Sequence, residues 1–254
     1  MRYYHTIENG IVQDALFTIT QHPLPESYIG GGLSLQFTLP KDLHRKTSDI
    51  DLTTSRYTNS QDFRDYVLHA FEELIHRGYK IEFTKRRSTL DAHLERDENH
   101  LMVQLPRRNK QNFDGRKTIL EREVSNARKI PYGELSISVI TYEDLVAHKI
   151  IRSSSFLESY KLRVPTVTNL EQIKEELNIL KEDFRKVSYA LEPDEAARKL
   201  AEIRLVADVF DTTAIFKYFA AEFDENYFYE ALHSFNGSQK RFRTWQELIE
   251  KLRP

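Results

Sequence analysis

The sequence predicts an α+β chain in two parts, a strand-containing module over residues 1–140 and a mostly helical one over 141–254. Glycine gives the first indication: three of the eight are consecutive, at Gly30, Gly31 and Gly32, and none falls between Gly133 and Gly237. That glycine-free half is also dense in Glu, Lys, Leu and Ala, all good helix formers. Short β-like runs, by contrast, are confined to the first half.

Taken in order, Ile7, Ile11, Val12, Ala15, Leu16 and Ile19 recur at helical spacing and predict a helix over 5–20. Residues 61–77 carry a continuous apolar stripe from Phe63 through Val67, Ala70 and Phe71 to Ile75, and Gly78 stops it. Strands are expected at Lys80–Thr84, Leu101–Leu105, Lys117–Val124 and Glu134–Ile140. Helices follow at 142–152, 170–189, 194–221, 226–235 and 244–252, with Pro165 and Pro193 marking breaks. There is no internal repeat and no low-complexity tract.

Composition removes several function classes. The 254 residues include no cysteine, which excludes a disulfide scaffold, a thiolate nucleophile and cysteine-based metal sites. No apolar stretch approaches the roughly 18 residues of a membrane span, and the start MRYYHTIENG has no apolar signal core, so a cytoplasmic protein is expected. With a formal net charge of −2, local patches rather than the total decide affinity for nucleic acid. Histidines form no His-x-x-x-His or His-x-His pair, and neither a P-loop nor a nucleophile elbow is present.

Chemistry concentrates between Tyr28 and Leu52, where the glycine cluster is followed by Arg45-Lys46-Thr47-Ser48-Asp49-Ile50-Asp51-Leu52. In a strand, Asp49 and Asp51 project from the same face, about 6.6–6.8 Å apart along the chain, while Ile50 and Leu52 enter the core. Two carboxylates so placed suit Mg²⁺, which keeps waters and recruits substrate phosphates as further ligands. The amides of Gly31 and Gly32, unobstructed by side chains, can cradle a polyphosphate, and Arg45 adds a planar cation.

Ile29-Gly-Gly-Gly-Leu-Ser-Leu followed by Arg-x-Thr-x-Asp-Ile-Asp-Leu resembles the signature of nucleotidyltransferases related to DNA polymerase β, and most closely the AbiEii-type toxin branch. Thr47 stands where that branch usually has Ser. Leu33 stands where it often has Thr, and Ser34, one place on, is the substitute contact. The resemblance implies a polymerase-β-like core with a helical C-terminal domain. It also implies a later acidic residue completing the metal site: Glu123, with Glu121 as the alternative. Tyr142-Glu-Asp-Leu-Val-Ala-His-Lys-Ile-Ile-Arg resembles the family's lysine-bearing helix and assigns that role to Lys149. Arg204-Leu-Val-Ala-Asp-Val-Phe-Asp resembles its closing segment, with Asp208 the functional carboxylate ahead of Asp211. The implied activity is Mg²⁺-dependent transfer of a nucleoside monophosphate from an NTP to RNA such as tRNA. The implied setting is a toxin–antitoxin or phage-defence system with a separately encoded antitoxin. A small-molecule acceptor, or a catalytically silent nucleotide- or RNA-binding module, is the alternative.

Lys149 is unusual on physical grounds as well. It sits beside the apolar row of Leu145, Val146 and Ile150, so its ammonium must snorkel or meet an anion. Basic residues cluster at Lys85-Arg86-Arg87, Arg107-Arg108 with Lys110, Arg116-Lys117, and Lys240, Arg241 and Arg243, any of which offers a phosphate-binding patch. Phe223, Tyr227, Phe228, Tyr229 and Phe235 fall at helical spacing and are expected in the core rather than on bases.

Overall fold

Helix α1 (Gly10–Gln21) starts where Asn9 accepts a hydrogen bond from the Ile11 amide, so the cap, and not the earlier Ile7, sets its first turn. This is a computed structural model, which describes residues 4–165, 169–235 and 239–253, with the backbone alone at 239–242. After α1 come β1 (Ser27–Ile29), two 3₁₀ turns (Leu33–Phe37 and Lys41–Leu43) and β2 (Asp49–Thr54). Helices α2 (Ser60–Ala70) and α3 (Glu72–His76) follow, then β3 (Lys80–Lys85), β4 (Thr89–Arg96) and β5 (Asn99–Pro106). Short helix α4 (Lys110–Asp114), helix α5 (Lys117–Asn126) and the hairpin β6 (Arg128–Tyr132) and β7 (Leu135–Val139) complete the first part.

The strands form one seven-stranded mixed sheet in the order β3-β4-β5-β2-β1-β7-β6. β2 runs parallel to β5, and β1 parallel to β7; the remaining neighbours are antiparallel. Alternation along β2 buries Ile50 and Leu52 in the core, leaving Asp49 and Asp51 on the opposite, half-buried face. The core packs α1 residues Val12, Ala15 and Leu16 and α2 residues Phe63 and Val67 with strand residues including Leu94, Val103 and Val139.

Two expected elements differ. The stripe over 61–77 is divided at Phe71 (φ −97°, ψ 14°), although Phe71 N–H still donates to Val67 O at 2.9 Å and Ile75 N–H to Phe71 O at 3.0 Å. The expected strand Lys117–Val124 is instead α5. Its buried residues, Leu120 and Glu123, lie three positions apart on one helical face, and Lys117 meets Glu121 at 3.7 Å one turn on. Strands β4 and β6 were not foreseen; their partners β5 and β7 carry the stronger apolar runs.

The chain divides into two compact units, residues 2–141 and 142–254. The second is helical: α6 (Tyr142–Tyr160), α7 (Leu170–Val187), α8 (Pro193–Tyr218), α9 (Glu225–His233) and α10 (Gln239–Leu252). Pro193 opens α8 at a position where its missing N–H costs nothing, and Asn169 caps α7. Phe228 is fully buried, Phe223 packs edge-on to Phe216 at 5.3 Å, and the Tyr227 hydroxyl donates to Asp144 at 2.6 Å, so these aromatics are used internally. No helix among the described residues is long and apolar enough to cross a membrane.

Candidate active site

Asp49 and Asp51 occupy β2 with the spacing the alternation requires, and each is held differently. The Thr47 hydroxyl donates to Asp49 Oδ1 at 2.9 Å, fixing that carboxylate from its own strand. Asp51 lies over the glycine bend. A Cβ on Gly31 would sit 1.9 Å from Asp51 Oδ2, and Gly31 has φ +64°, so no other residue fits there without displacing the carboxylate. A Cβ on Gly32 would sit 1.8 Å from Arg45 Nη2. The two glycines therefore admit a carboxylate and a guanidinium to adjacent stretches of bare backbone.

Buried polar groups brace this bend. Ser34, with no exposed surface, donates to Gly31 O at 2.7 Å and so braces the turn. Gln36, which the sequence did not single out, donates to Arg45 O at 2.7 Å and accepts from the Ile7 amide at 2.8 Å. Thr47 is tied at both ends, its backbone bridging to His5 and its hydroxyl to Asp49, so its role is to position a carboxylate.

Register extends the acidic face across the sheet. Asp51 lies beside Gln104 on β5, which in turn faces Asp91 on β4. Gln104 Nε2 donates to Asp91 Oδ1 at 3.0 Å, and Arg86 Nε pairs with Asp91 Oδ2 at 2.6 Å. This row, buried at Asp91 and half-buried at Asp51 and Gln104, was invisible in the sequence because it depends on strand pairing.

The expected trio of Asp49, Asp51 and Glu123 is not assembled. Glu123 is the buried member of the Glu121/Glu123 alternative, but it lies on a helix, where its Oε2 accepts from the Tyr28 hydroxyl at 2.7 Å and its Oε1 lies 3.9 Å from Arg122. Among the described residues no group of three acidic or histidine side chains is disposed to hold a metal. The Asp49–Asp51 pair nonetheless fits a hard divalent cation. It offers two carboxylate donors on one half-buried face of β2, a set that waters and phosphate oxygens can complete.

In the helical unit the anion demanded by Lys149 is present twice. Its ammonium donates to Asp211 Oδ2 at 2.6 Å and Asp208 Oδ1 at 3.2 Å, with all three side chains almost fully buried. Asp208 also accepts a bidentate pair of bonds from Arg152, with Nε at 2.9 Å, and one from the Ser153 hydroxyl at 3.2 Å. Burial opposes ionisation of Asp208, but the charges of Arg152 and Lys149 outweigh it and hold the carboxyl below its ordinary range. Arg204, on the same sequence segment, is exposed. The sequence reading included Arg152 in the lysine-bearing motif without giving it a role, and did not single out Ser153; both lie one turn beyond Lys149 on α6, where spacing alone could have found them.

A glycine bend, a paired-aspartate strand in a mixed sheet and a lysine-bearing helix define a nucleotidyltransferase. The family described as "Nucleotidyl transferase AbiEii toxin, Type IV TA system" matches residues 14–154, more than half of the chain, and the chain belongs to that family. Its members pair a nucleotide-using toxin with an antitoxin. No curated protein matches. The crystal structure of an antigenic nucleotidyltransferase-like protein from Paracoccidioides brasiliensis is similar over 91% of this chain and 95% of that one, at 10% identity and a TM-score of 0.42.

Proposed function

We propose that this toxin transfers a nucleoside monophosphate from an NTP to a hydroxyl of RNA, with tRNA as the acceptor class, in a Mg²⁺-dependent reaction. The observation that carries the reading is the placement of the Asp49 and Asp51 carboxylates on one face of β2, with Asp51 and Arg45 lying over Gly31 and Gly32. Bound there, Mg²⁺ supplies charge neutralisation for the triphosphate and lowers the barrier to attack by the acceptor oxygen.

The chain's own residues do the rest. Asp49 and Asp51 hold the cation, and Thr47 keeps Asp49 in the orientation to do so. Arg45 and the glycine amides fix the triphosphate by charge-assisted hydrogen bonds, which is most of what such transfer needs. The acceptor oxygen forms a bond to the α-phosphorus as the bond to the bridging oxygen breaks, and pyrophosphate leaves. The acceptor's proton passes to a carboxylate of the pair. Lys149 and Asp208 belong to the machinery as a buried charged cluster; an element retained for stability alone is commonly as well served by apolar side chains. The cognate antitoxin restrains the activity in the cytoplasm, an arrangement suited to phage defence.

Incubation with each α-phosphate-labelled NTP, Mg²⁺ and total RNA is the test. Label should appear in RNA and vanish with Asp49→Asn. Nucleotide bound without transfer to RNA overturns the reading.

A further inference from the structure

Two of the basic clusters, separate in sequence, converge in one place. Lys85 and Arg87 at the end of β3, and Arg107 and Arg108 just beyond β5, line a single cavity of about 460 Å³ together with Tyr57 and Asn109. No acidic residue lines it. Arg86, between the first two, is committed to Asp91, whereas Lys85, Arg87 and Arg107 have no ion-pair partner among the described residues. The segments that carry these cations are fixed by the backbone: Arg86 N–H donates to Thr89 O at 2.9 Å and Arg107 N–H to Ser88 O at 2.8 Å. The Arg107 guanidinium is itself anchored to Arg86 O at 2.9 Å. Burial and the nearby Arg116 pull the Arg108 guanidinium below its usual basicity, the signature of cations crowded without enough counter-charge.

The remaining lining narrows the choice of ligand. A cavity this size exceeds a lone phosphate and matches a ligand of several groups. Tyr57, 40% exposed, is propped edge-on by Phe113 at 5.5 Å and so offers a supported ring to stack on. Asn109 caps α4 through its Oδ1, which accepts from the Asn112 amide at 2.7 Å, and adds its Nδ2 as a polar donor to the lining. Cations with an aromatic platform are what single-stranded nucleic acid requires. The cavity also lies in line with the acidic pair. β2 and β5 are parallel, Asp51 is beside Gln104, and Arg107 comes three residues after Gln104, about 10 Å further along the strand direction.

We infer that this basic cavity binds the acceptor strand, with Lys85, Arg87, Arg107 and Arg108 on successive RNA phosphates and one base stacked on Tyr57. The inference rests on the reading of RNA as the acceptor and adds to it the site of capture.

The test measures binding of a fluorescent single-stranded RNA of about 12 nucleotides to the full chain, without NTP, alongside binding of a non-hydrolysable NTP with Mg²⁺. Lys85→Gln, Arg87→Gln and Arg107→Gln combined should weaken RNA binding at least tenfold, and flatten the dependence of log affinity on log salt by about 2. Tyr57→Ala should weaken it by about tenfold through lost stacking. The exposed set Lys41→Gln, Lys80→Gln and Lys129→Gln should change nothing, and NTP affinity should hold throughout. RNA binding by the cavity triple equal to wild type overturns this inference and leaves the RNA reading intact. Loss of NTP binding in the triple overturns it by giving the cavity to the triphosphate. A wild-type chain that does not bind RNA overturns both.

Discussion

Replacing Gly31 or Gly32 by alanine separates two roles within the bend. At Gly31 the new Cβ meets a carboxylate and the left-handed backbone itself disfavours a side chain, so Gly31→Ala should lose about 1–2 kcal/mol of stability and most of its turnover. At Gly32 the obstructed group is the buried Arg45 guanidinium, the far end of a long side chain, so Gly32→Ala should raise the KM for NTP several-fold with a smaller loss of stability than Gly31→Ala. Steady-state kinetics with thermal denaturation checks both. Asp51→Asn keeps shape and volume but removes a carboxylate charge on which the proposed reaction depends, and should lower kcat by about 10³-fold with the fold intact. These residues were legible in the sequence because their meaning is local: alternation fixes where two aspartates point, and only glycine leaves room for them. The bond made by Ser34 is equally local. Its hydroxyl reaches back three residues to Gly31 O, a bond that sequence spacing permits but does not announce.

Among the elements, the pairing of α6 with α8 puts two aspartates against one lysine. Lys149→Met leaves Asp208 and Asp211 buried with reduced compensation and should cost about 3–5 kcal/mol in urea unfolding. Adding Asp208→Asn and Asp211→Asn should restore most of that stability and none of the activity. The pH dependence has a definite sign. Asp208 is held below its ordinary value of 3.8, so the stability it confers is fully present above that value and lost as pH falls through its lower folded value. The stability gap between wild type and Asp208→Asn should therefore be constant from about pH 7 to 5 and close below about pH 4. The sequence pointed to this contact only through the demand Lys149 makes; its fulfilment by residues 59 and 62 positions away needed the tertiary packing. Helix α5 shows the opposite case. Its short apolar run reads equally as a strand, and the face shared by Leu120 and Glu123 decides it.

At the scale of the molecule, the mixed sheet converts scattered signals into sites. Parallel pairing of β2 with β5 sets Asp51 beside Gln104, and the antiparallel pairing of β5 with β4 and β4 with β3 adds Asp91 to that row and brings basic clusters twenty-odd residues apart to one cavity. Neither assembly was legible in the sequence, because strand order and register are properties of the whole sheet and β4 itself carried no distinct signal. The side chains of Lys240 and Arg241 lie outside the described residues, and Arg243 is exposed.

The central claim is that the Asp49–Asp51 face joins the α-phosphate of an NTP to RNA. Parallel reactions with α- and γ-phosphate-labelled NTP measure this directly, with RNA label and released pyrophosphate counted together. The account predicts α-label in RNA, none from the γ-position, one pyrophosphate per nucleotide joined, and loss of both the RNA label and the pyrophosphate in Asp51→Asn. Transfer of γ-label, or undiminished α-label with Asp51→Asn, contradicts it.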